Sequence, residues 1–368
     1  MGHIVLSATP VQPASTSAAV AEISARLAAQ PAIGLDTEFL RERTYHAQLC
    51  LLQLAWAGGA ACVDPLAAAN LSVLRAVLTA PPAVKVLHAS RQDLEVLLPA
   101  VGPVRPLFDT QIAAALAGES AQVGYAELVR RLLGVELAKA HTRADWSRRP
   151  LSAEQIEYAL DDVRHLLALK AALEERLTRL GRLSWLAEEL TALEALAVLG
   201  VDPEQAWRRV KGVSRLDPGR LRLLRSLAAW RERRALERDL PRGWVLEDGL
   251  LREIVLRVPR SREALGALAG MPAGLIERSG RELLERIRAA EIPEPAPPLP
   301  RPKPDPLRNE RLKKLAAVHR AAAAELELSP EVLATRRDLE QLADGREDVA
   351  VLRGWRRAVL GERLLAAL

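Results

Sequence analysis

Acidic residues stand at three places in the chain where their type and spacing suit the binding of divalent cations. The first is Asp36-Thr37-Glu38, inside the apolar run Ala32 to Leu40, which reads as a strand. Residues two apart in a strand face the same way, so Asp36 and Glu38 project together, and Gly34 is expected to keep that face open. Two carboxylates without a cation repel each other and resist burial. A divalent ion relieves both costs, and hard oxygen donors suit Mg2+ or Mn2+. Taken alone, the pair is equally a strand end whose acids meet solvent or arginine.

The second place is Asp93, in His88-Ala89-Ser90-Arg91-Gln92-Asp93. Ser90 and Asp93 have the spacing of an N-cap and the third helical residue, which by itself favours capping. A carboxylate has two oxygens, so capping and metal binding are compatible. The third place is Tyr158-Ala159-Leu160-Asp161-Asp162. Tyr158 and Asp162 are four apart and share a helix face. A phenol one turn from a carboxylate can hold a water in line for attack. Asp161 lies off that face and reads as a solvated acid.

Three kinds of element must position these groups. Ala32 to Leu40, Ala47 to Trp56, Ala60 to Asp64, Val84 to His88 and Leu107 to Asp109 read as strands, with Gly58-Gly59 as a tight turn; Ile4 to Ala8 reads as a further short strand. Ser15, Thr16 and Ser17 offer caps for a helix reaching Ala29. Ser152 and Gln155 form a capping box after Pro150, and Ile156, Leu160, Val163 and Leu167 give the following helix an apolar stripe. From about Leu151 the sequence is helical almost throughout. Hairpin strands followed by strands interleaved with helices predict a mixed sheet covered by helices.

At 368 residues and 49% hydrophobic, the chain is long enough for two or three packed domains, with a core of Leu, Ala and Val because aromatics are 3%. A net charge of +5 fits a polyanionic partner. Cys50 and Cys62 lie in apolar stretches without CxxC spacing and read as reduced core residues of a cytoplasmic protein. No apolar run reaches transmembrane length and no signal-peptide pattern opens the chain. His46, His88, His141 and His165 fit no zinc spacing; His88 reads as a hydrogen-bonded scaffold residue. Asp64 and Asp109 read as structural turn acids.

In combination and order, Asp-x-Glu on a strand, Asp at a strand-to-helix junction and Tyr-x-x-x-Asp on a later helix resemble the DEDDy branch of the DEDD exonucleases. The wider match resembles the bacterial ribonuclease D family: Leu35 to Phe39, Arg43-Thr44-Tyr45 with Gln48-Leu49, Val63-Asp64-Pro65, Leu87-His88-Ala89, Asp93-Leu94-Glu95, Phe108 to Gln111, Asp145-Trp146 and Tyr158 to Asp162. The resemblance implies an RNase H-like α/β fold with a five-stranded mixed sheet in residues 1–185. It implies that Asp36, Glu38, Asp93 and Asp162 hold two Mg2+ or Mn2+ ions, Asp36 bridging them, ~3.5–4 Å apart as in two-metal sites. Tyr158 would orient the attacking water. The product would be a nucleoside 5′-monophosphate.

Residues 186–212 read as a helical connector. Leu227 to Glu232, Arg238 to Pro241, Val245-Leu246 and Leu250 to Pro259 resemble an HRDC domain, placed at 213–290. Prolines recur through 291–306, a stretch that favours polyproline II and at ~3.1 Å per residue spans roughly 40 Å. Residues 307–368 resemble a second, diverged HRDC copy through Leu328 to Leu333, Leu339 to Leu342 and Gly354-Trp355-Arg356. Both rear modules are expected to be all-α. Arg220, Arg222, Arg225, Arg231, Arg233 and Arg234 are expected to present phosphate-binding charge, Arg231 and Arg234 foremost; the alternative is a solvated helix surface with Glu232 and Glu237 as local partners.

The leading expectation is a 3′→5′ exoribonuclease that trims structured RNA, with tRNA precursors as the class the resemblance implies. The chain is expected to be a monomer, without a membrane, in the cytoplasm. A DNA-directed 3′-5′ exonuclease and a non-catalytic RNA-binding scaffold are the alternatives.

Overall fold

The computed structural model describes residues 12–67, 70–137, 144–199, 202–213, 216–293 and 305–368. The strand expected at Ile4 to Ala8, His141 and most of the proline-rich stretch lie outside the described residues. The chain forms two units. One comprises Met1–Leu40, Leu49–Val198 and Asp305–Leu368; the other comprises Arg41–Gln48 and Leu199–Pro304.

The first unit is built on a five-stranded mixed sheet, as the strand pattern predicts. Helix α1 (Ser17–Leu27) starts at Thr16, whose hydroxyl accepts from Ala19 N at 3.2 Å, a cap that contributes about 1 kcal/mol. It is followed by β1 (Ala32–Leu40), β2 (Gln48–Trp56), β3 (Gly59–Val63), the short α2 (Arg75–Thr79), β4 (Val84–Leu87), α3 (Arg91–Val101) and β5 (Leu107–Asp109). The strand order is β3-β2-β1-β4-β5, with β1 central. β1, β4 and β5 are parallel, in register Gly34↔Val86 and Leu87↔Asp109. β2 and β3 are an antiparallel hairpin, in register Gln53↔Cys62. The turn falls at Ala57-Gly58 rather than Gly58-Gly59: Gly58 takes the left-handed φ of +86°, while Gly59 already pairs with Trp56.

Helices cover both faces. α1, α2 and α3 close one, over Ile33, Leu35, Leu52, Leu54 and Leu87. The other is closed by α4 (Thr110–Leu116), α5 (Tyr125–Leu133), α6 (Ala153–Arg164) and α7 (Leu166–Leu180). Each wholly buried leucine or valine in these layers contributes roughly 1.5–3 kcal/mol. α8 (Leu183–Leu199) then runs across residue 185, where the sequence suggested the nuclease domain would end.

The second unit is all-helical: α9 (Pro218–Arg238), α10 (Arg242–Val245), α11 (Asp248–Arg257), α12 (Arg262–Gly266) and α13 (Ala273–Ala289). They enclose Leu223, Leu227, Trp230, Leu251, Ile254, Leu283 and Ile287.

The C-terminal segment, with α14 (Pro306–Glu325), α15 (Pro330–Leu333) and α16 (Arg336–Ala343), belongs to the sheet-containing unit. Leu315, Leu333, Val351, Trp355 and Leu364 share one core with Leu169, Leu173, Leu177 and Leu186. Trp355 stacks on Trp185 with ring centroids 4.5 Å apart and planes 10° from parallel. Arg182 ties α4 to α14, donating to the Leu116 carbonyl at 2.8 Å and the Leu326 carbonyl at 2.5 Å. Apolar faces on α7 and α8 thus fold this segment onto the sheet-containing unit.

Candidate active site

Asp36 and Glu38 lie on the face of β1 that α6 covers, and α6 brings Asp162 over them. One carboxylate oxygen from each of the three lies within 4.8 Å of the other two. The capping box starts α6 as expected, with Gln155 N donating to Ser152 Oγ at 3.2 Å and Ser152 N donating to Gln155 Oε1 at 2.9 Å. Ile156, Ala159, Leu160 and Val163 bury its inner stripe. Gly34 does not keep the face open. A Cβ there would stand 3.1 Å from Ala55 Cβ and 3.2 Å from the Val163 carbonyl oxygen, so glycine lets the α6–α7 junction press onto β1.

Asp93 sits in the first turn of α3 and lies outside that trio, but its charge acts on both Asp36 and Glu38. It is held from the strand side: Thr37 Oγ1 donates to Asp93 Oδ1 at 2.5 Å. Ser90 does not cap α3 with its side chain, contrary to the spacing argument. Its hydroxyl and amide both donate to Asp109 Oδ2 at 2.8 Å, and Asp109 Oδ1 caps α4 by accepting from Gln111 N at 2.8 Å. The β4–α3 turn, with Ala89 at a left-handed φ of +54°, is thus clamped to the end of β5, which sets where Asp93 emerges. Thr37 and Asp109 hold the site without offering it a ligand.

The electrostatics are those of a site built for cations. Burial, then the charges of Asp93, Asp162 and Glu38, push the Asp36 carboxyl well above the ordinary range. Burial, then Asp162 and Asp93, push Glu38 to about 8. Asp93 and Asp162 each rise to about 6 through burial, opposed by the Thr37 and Tyr158 hydroxyls respectively. Among the described residues, none of the four acids pairs with Lys or Arg. Oxygen donors this close, with no positive partner, match a Mg2+ or Mn2+ site in number and hardness.

Tyr158 lies beside Asp162, one turn earlier on α6, and its ring stacks at 6.1 Å on Trp146. Burial and the Asp162 charge push the phenol upward, so it keeps its proton and acts as a donor. Tyr125, which the motif reading did not single out, braces the same helix. Its hydroxyl donates to the Asp161 carbonyl at 3.0 Å and accepts from His165 N at 3.2 Å. Asp161 itself pairs with Arg164 at 2.5 Å. Asp64 is clasped by Arg149 at 2.6 and 2.7 Å, which outweighs burial and holds it below the usual range. His88 joins the Thr110 hydroxyl at 2.9 Å and the Val123 carbonyl at 3.0 Å, a scaffold role. Cys50 and Cys62 are buried and not joined in a disulfide.

The arginines of α9 behave differently from the expectation. Arg231 is 2% exposed and donates to the Leu246 carbonyl at 3.0 Å and Asp248 at 2.6 Å. Arg220, 4% exposed, is held by Asp217 at 2.6 Å. Both are committed inside the module and present no charge to a phosphate. Arg234 pairs with Glu282 at 2.8 Å and lies over the Trp230 ring; Arg233 pairs with Glu204 at 2.8 Å. Glu232, expected on a solvated surface, is wholly buried and accepts from the Tyr45 hydroxyl at 2.5 Å.

Comparison with known proteins agrees with this geometry. A family profile described as 3′-5′ exonuclease matches residues 11–178, and one described as HRDC domain matches residues 220–287. A protein of Gluconacetobacter diazotrophicus named ribonuclease D is 43% identical over 93% of this chain and 88% of its own length. The crystal structure of Escherichia coli RNase D, described as an exoribonuclease involved in structured RNA processing, superposes with a TM-score of 0.84 at 34% identity, covering 98% of this chain and 99% of that one. The catalytic core of RRP6 from Trypanosoma brucei shares the fold, with a TM-score of 0.58 at 24% identity over 77% of this chain and 80% of that one.

Proposed function

The chain belongs to the ribonuclease D family of 3′-5′ exoribonucleases, and from that premise we propose that it removes nucleoside 5′-monophosphates one at a time from RNA 3′ ends, with tRNA precursors among its substrates. The observation that carries the reading is the trio Asp36, Glu38 and Asp162, gathered within 4.8 Å without a cationic side chain.

In this reading Asp36, Glu38, Asp93 and Asp162 would hold two divalent ions, Mg2+ or Mn2+. Bound there, such ions would supply Lewis-acid activation of a water and stabilisation of charge on the leaving oxygen. The protein's own part is positioning and exclusion. α6, packed by its apolar stripe, holds Asp162 over β1. Thr37 fixes one oxygen of Asp93. Tyr158, kept protonated, offers its O–H beside Asp162 and orients the water against the scissile phosphate. Arg234 and the other half-exposed arginines of α9 are the remaining candidates for holding RNA, through electrostatics that carry no sequence preference. Residues 307–368 are read as a diverged second HRDC copy, and the chain as a cytoplasmic monomer; no helix among the described residues is long and apolar enough to cross a membrane.

The test is hydrolysis of a 3′-tailed RNA by the full chain with Mn2+, with excess chelator, and as Asp36→Asn. Release of 5′-monophosphates only by the metal-loaded native chain is the expected result; release that persists in chelator overturns the mechanism. A matched DNA oligonucleotide cut at an equal rate would replace RNA by DNA as the substrate class.

A further inference from the structure

Gln53 is wholly buried in β2, and among the described residues neither its Oε1 nor its Nε2 has a hydrogen-bond partner. Buried polar side chains in native proteins are almost always partnered, and leaving one unpaired costs about 1–3 kcal/mol. Lys85, equally buried in β4 of the same sheet, shows the usual solution: its ammonium donates to the carbonyls of Ala83 at 2.7 Å and Ala80 at 3.0 Å. The Gln53 amide has no such structural partner.

Its place in the sheet identifies what it faces. β1 and β2 are neighbours joined by the short connection 41–47, too short for a parallel crossover, so they run antiparallel. The Cβ that Gly34 lacks would meet Ala55 Cβ at 3.1 Å, so those two positions lie side by side. Two residues further along each strand, on the same face, Asp36 lies beside Gln53. Cys62, paired with Gln53 on the other side, packs with Ile156, Ala159 and Leu160 of α6, the helix that carries Asp162. The register thus sets Gln53 between Asp36 on β1 and Cys62 on β3, on the face of the sheet that α6 covers.

We propose that Gln53 is a positioning residue of the metal-loaded site, its Nε2 donating to the Asp36 carboxylate and fixing which oxygen that acid turns to the cations. Oε1 is left to accept from water admitted with them. The proposal rests on the metal reading of the acidic cluster. Residues that hold a metal ligand by hydrogen bonds set affinity by about 10–100-fold.

The experiment is a calorimetric titration of the full-length native chain and of Gln53→Met with Mn2+, together with melting of both in chelator. Methionine keeps the volume and removes the amide. The expected result is Mn2+ affinity weakened by about tenfold or more, with a melting temperature in chelator unchanged or raised, because two unpaired polar atoms are gone. A smaller loss of affinity overturns the proposal, and so does a lower melting temperature in chelator, which would reveal a structural bond or a structural water. A native chain that takes up no Mn2+ instead sinks the metal reading itself. If Gln53→Met does not fold, a crystal structure of the native chain with Mn2+ decides: Nε2 within hydrogen-bond reach of Asp36 supports the role, and an amide turned elsewhere overturns it.

Discussion

The acids under α6 are largely half-buried and the arginines Arg220 and Arg231 of the α9 module fully buried, and the two groups meet their surroundings in opposite ways. Asp36, Glu38, Asp93 and Asp162 crowd together with one sign of charge, and each is pushed toward its neutral form. Arg220 and Arg231 are more deeply enclosed, but each has a carboxylate partner and a backbone carbonyl within its own module. A completed pair explains itself by folding. An uncompensated cluster is a cost that folding does not recover, and it marks where the protein meets something from outside. Burial alone therefore does not separate function from architecture; the sign of the neighbours does.

That contrast can be broken most directly at Asp36. Asp36→Asn should bring nucleotide release to background while raising the melting temperature of the metal-free protein, because one repelling charge is removed. A variant that loses both activity and stability would place Asp36 with the architectural charges. Tyr158→Phe is expected to lower kcat by about 10²-fold with little change in KM, read from steady-state release of 5′-monophosphates; unchanged turnover would leave the phenol a packing group.

pH sharpens the same distinction. In metal-free protein, Glu38 titrates at about 8 and Asp93 and Asp162 at about 6, whereas unfolded carboxylates have released their protons by about pH 4–5. Between those limits the native state binds more protons than the unfolded state, so stability falls as pH rises through the window. Melting in chelator at pH 5 and pH 8 should show the lower temperature at pH 8, and saturating Mn2+ should shrink the difference because cations displace those protons. A melting temperature that rises with pH would contradict the crowding. The smallest effect belongs to the helical module: Arg231→Ala should cost about 1–3 kcal/mol in urea unfolding and leave the salt dependence of RNA binding unchanged. A flatter salt slope would return Arg231 to the phosphate-contacting surface.

The acids were legible in the sequence because strand and helix periods alone put Asp36 with Glu38 and Tyr158 with Asp162. The parts that support them were harder to read. Thr37 alternates to the opposite face of β1, and no spacing rule says that Asp93 will be waiting there. Ser90 has the right offset for a cap, but Asp109, distant in sequence, takes its hydroxyl. The arginines of α9 were partly legible too. Arg220, Leu224, Leu227 and Arg231 recur three and four apart, so both arginines fall on the apolar stripe, and a stripe position was the signal that they turn inward. The attachment of α14 to the nuclease core had no local signal at all, since Trp185 and Trp355 look alike whether or not they meet.

That attachment orders events during synthesis. A ribosome delivers α7 and α8 long before Leu315, Leu333, Val351 and Trp355 exist to lie against them. The sheet can pair early, but its outer helices must wait, greasy side to water, until the residues from Pro306 onward have been made. A fragment ending at residue 185 or 290 inherits that waiting state permanently, and precipitation or chaperone capture of such fragments follows from the missing last sixth of the chain.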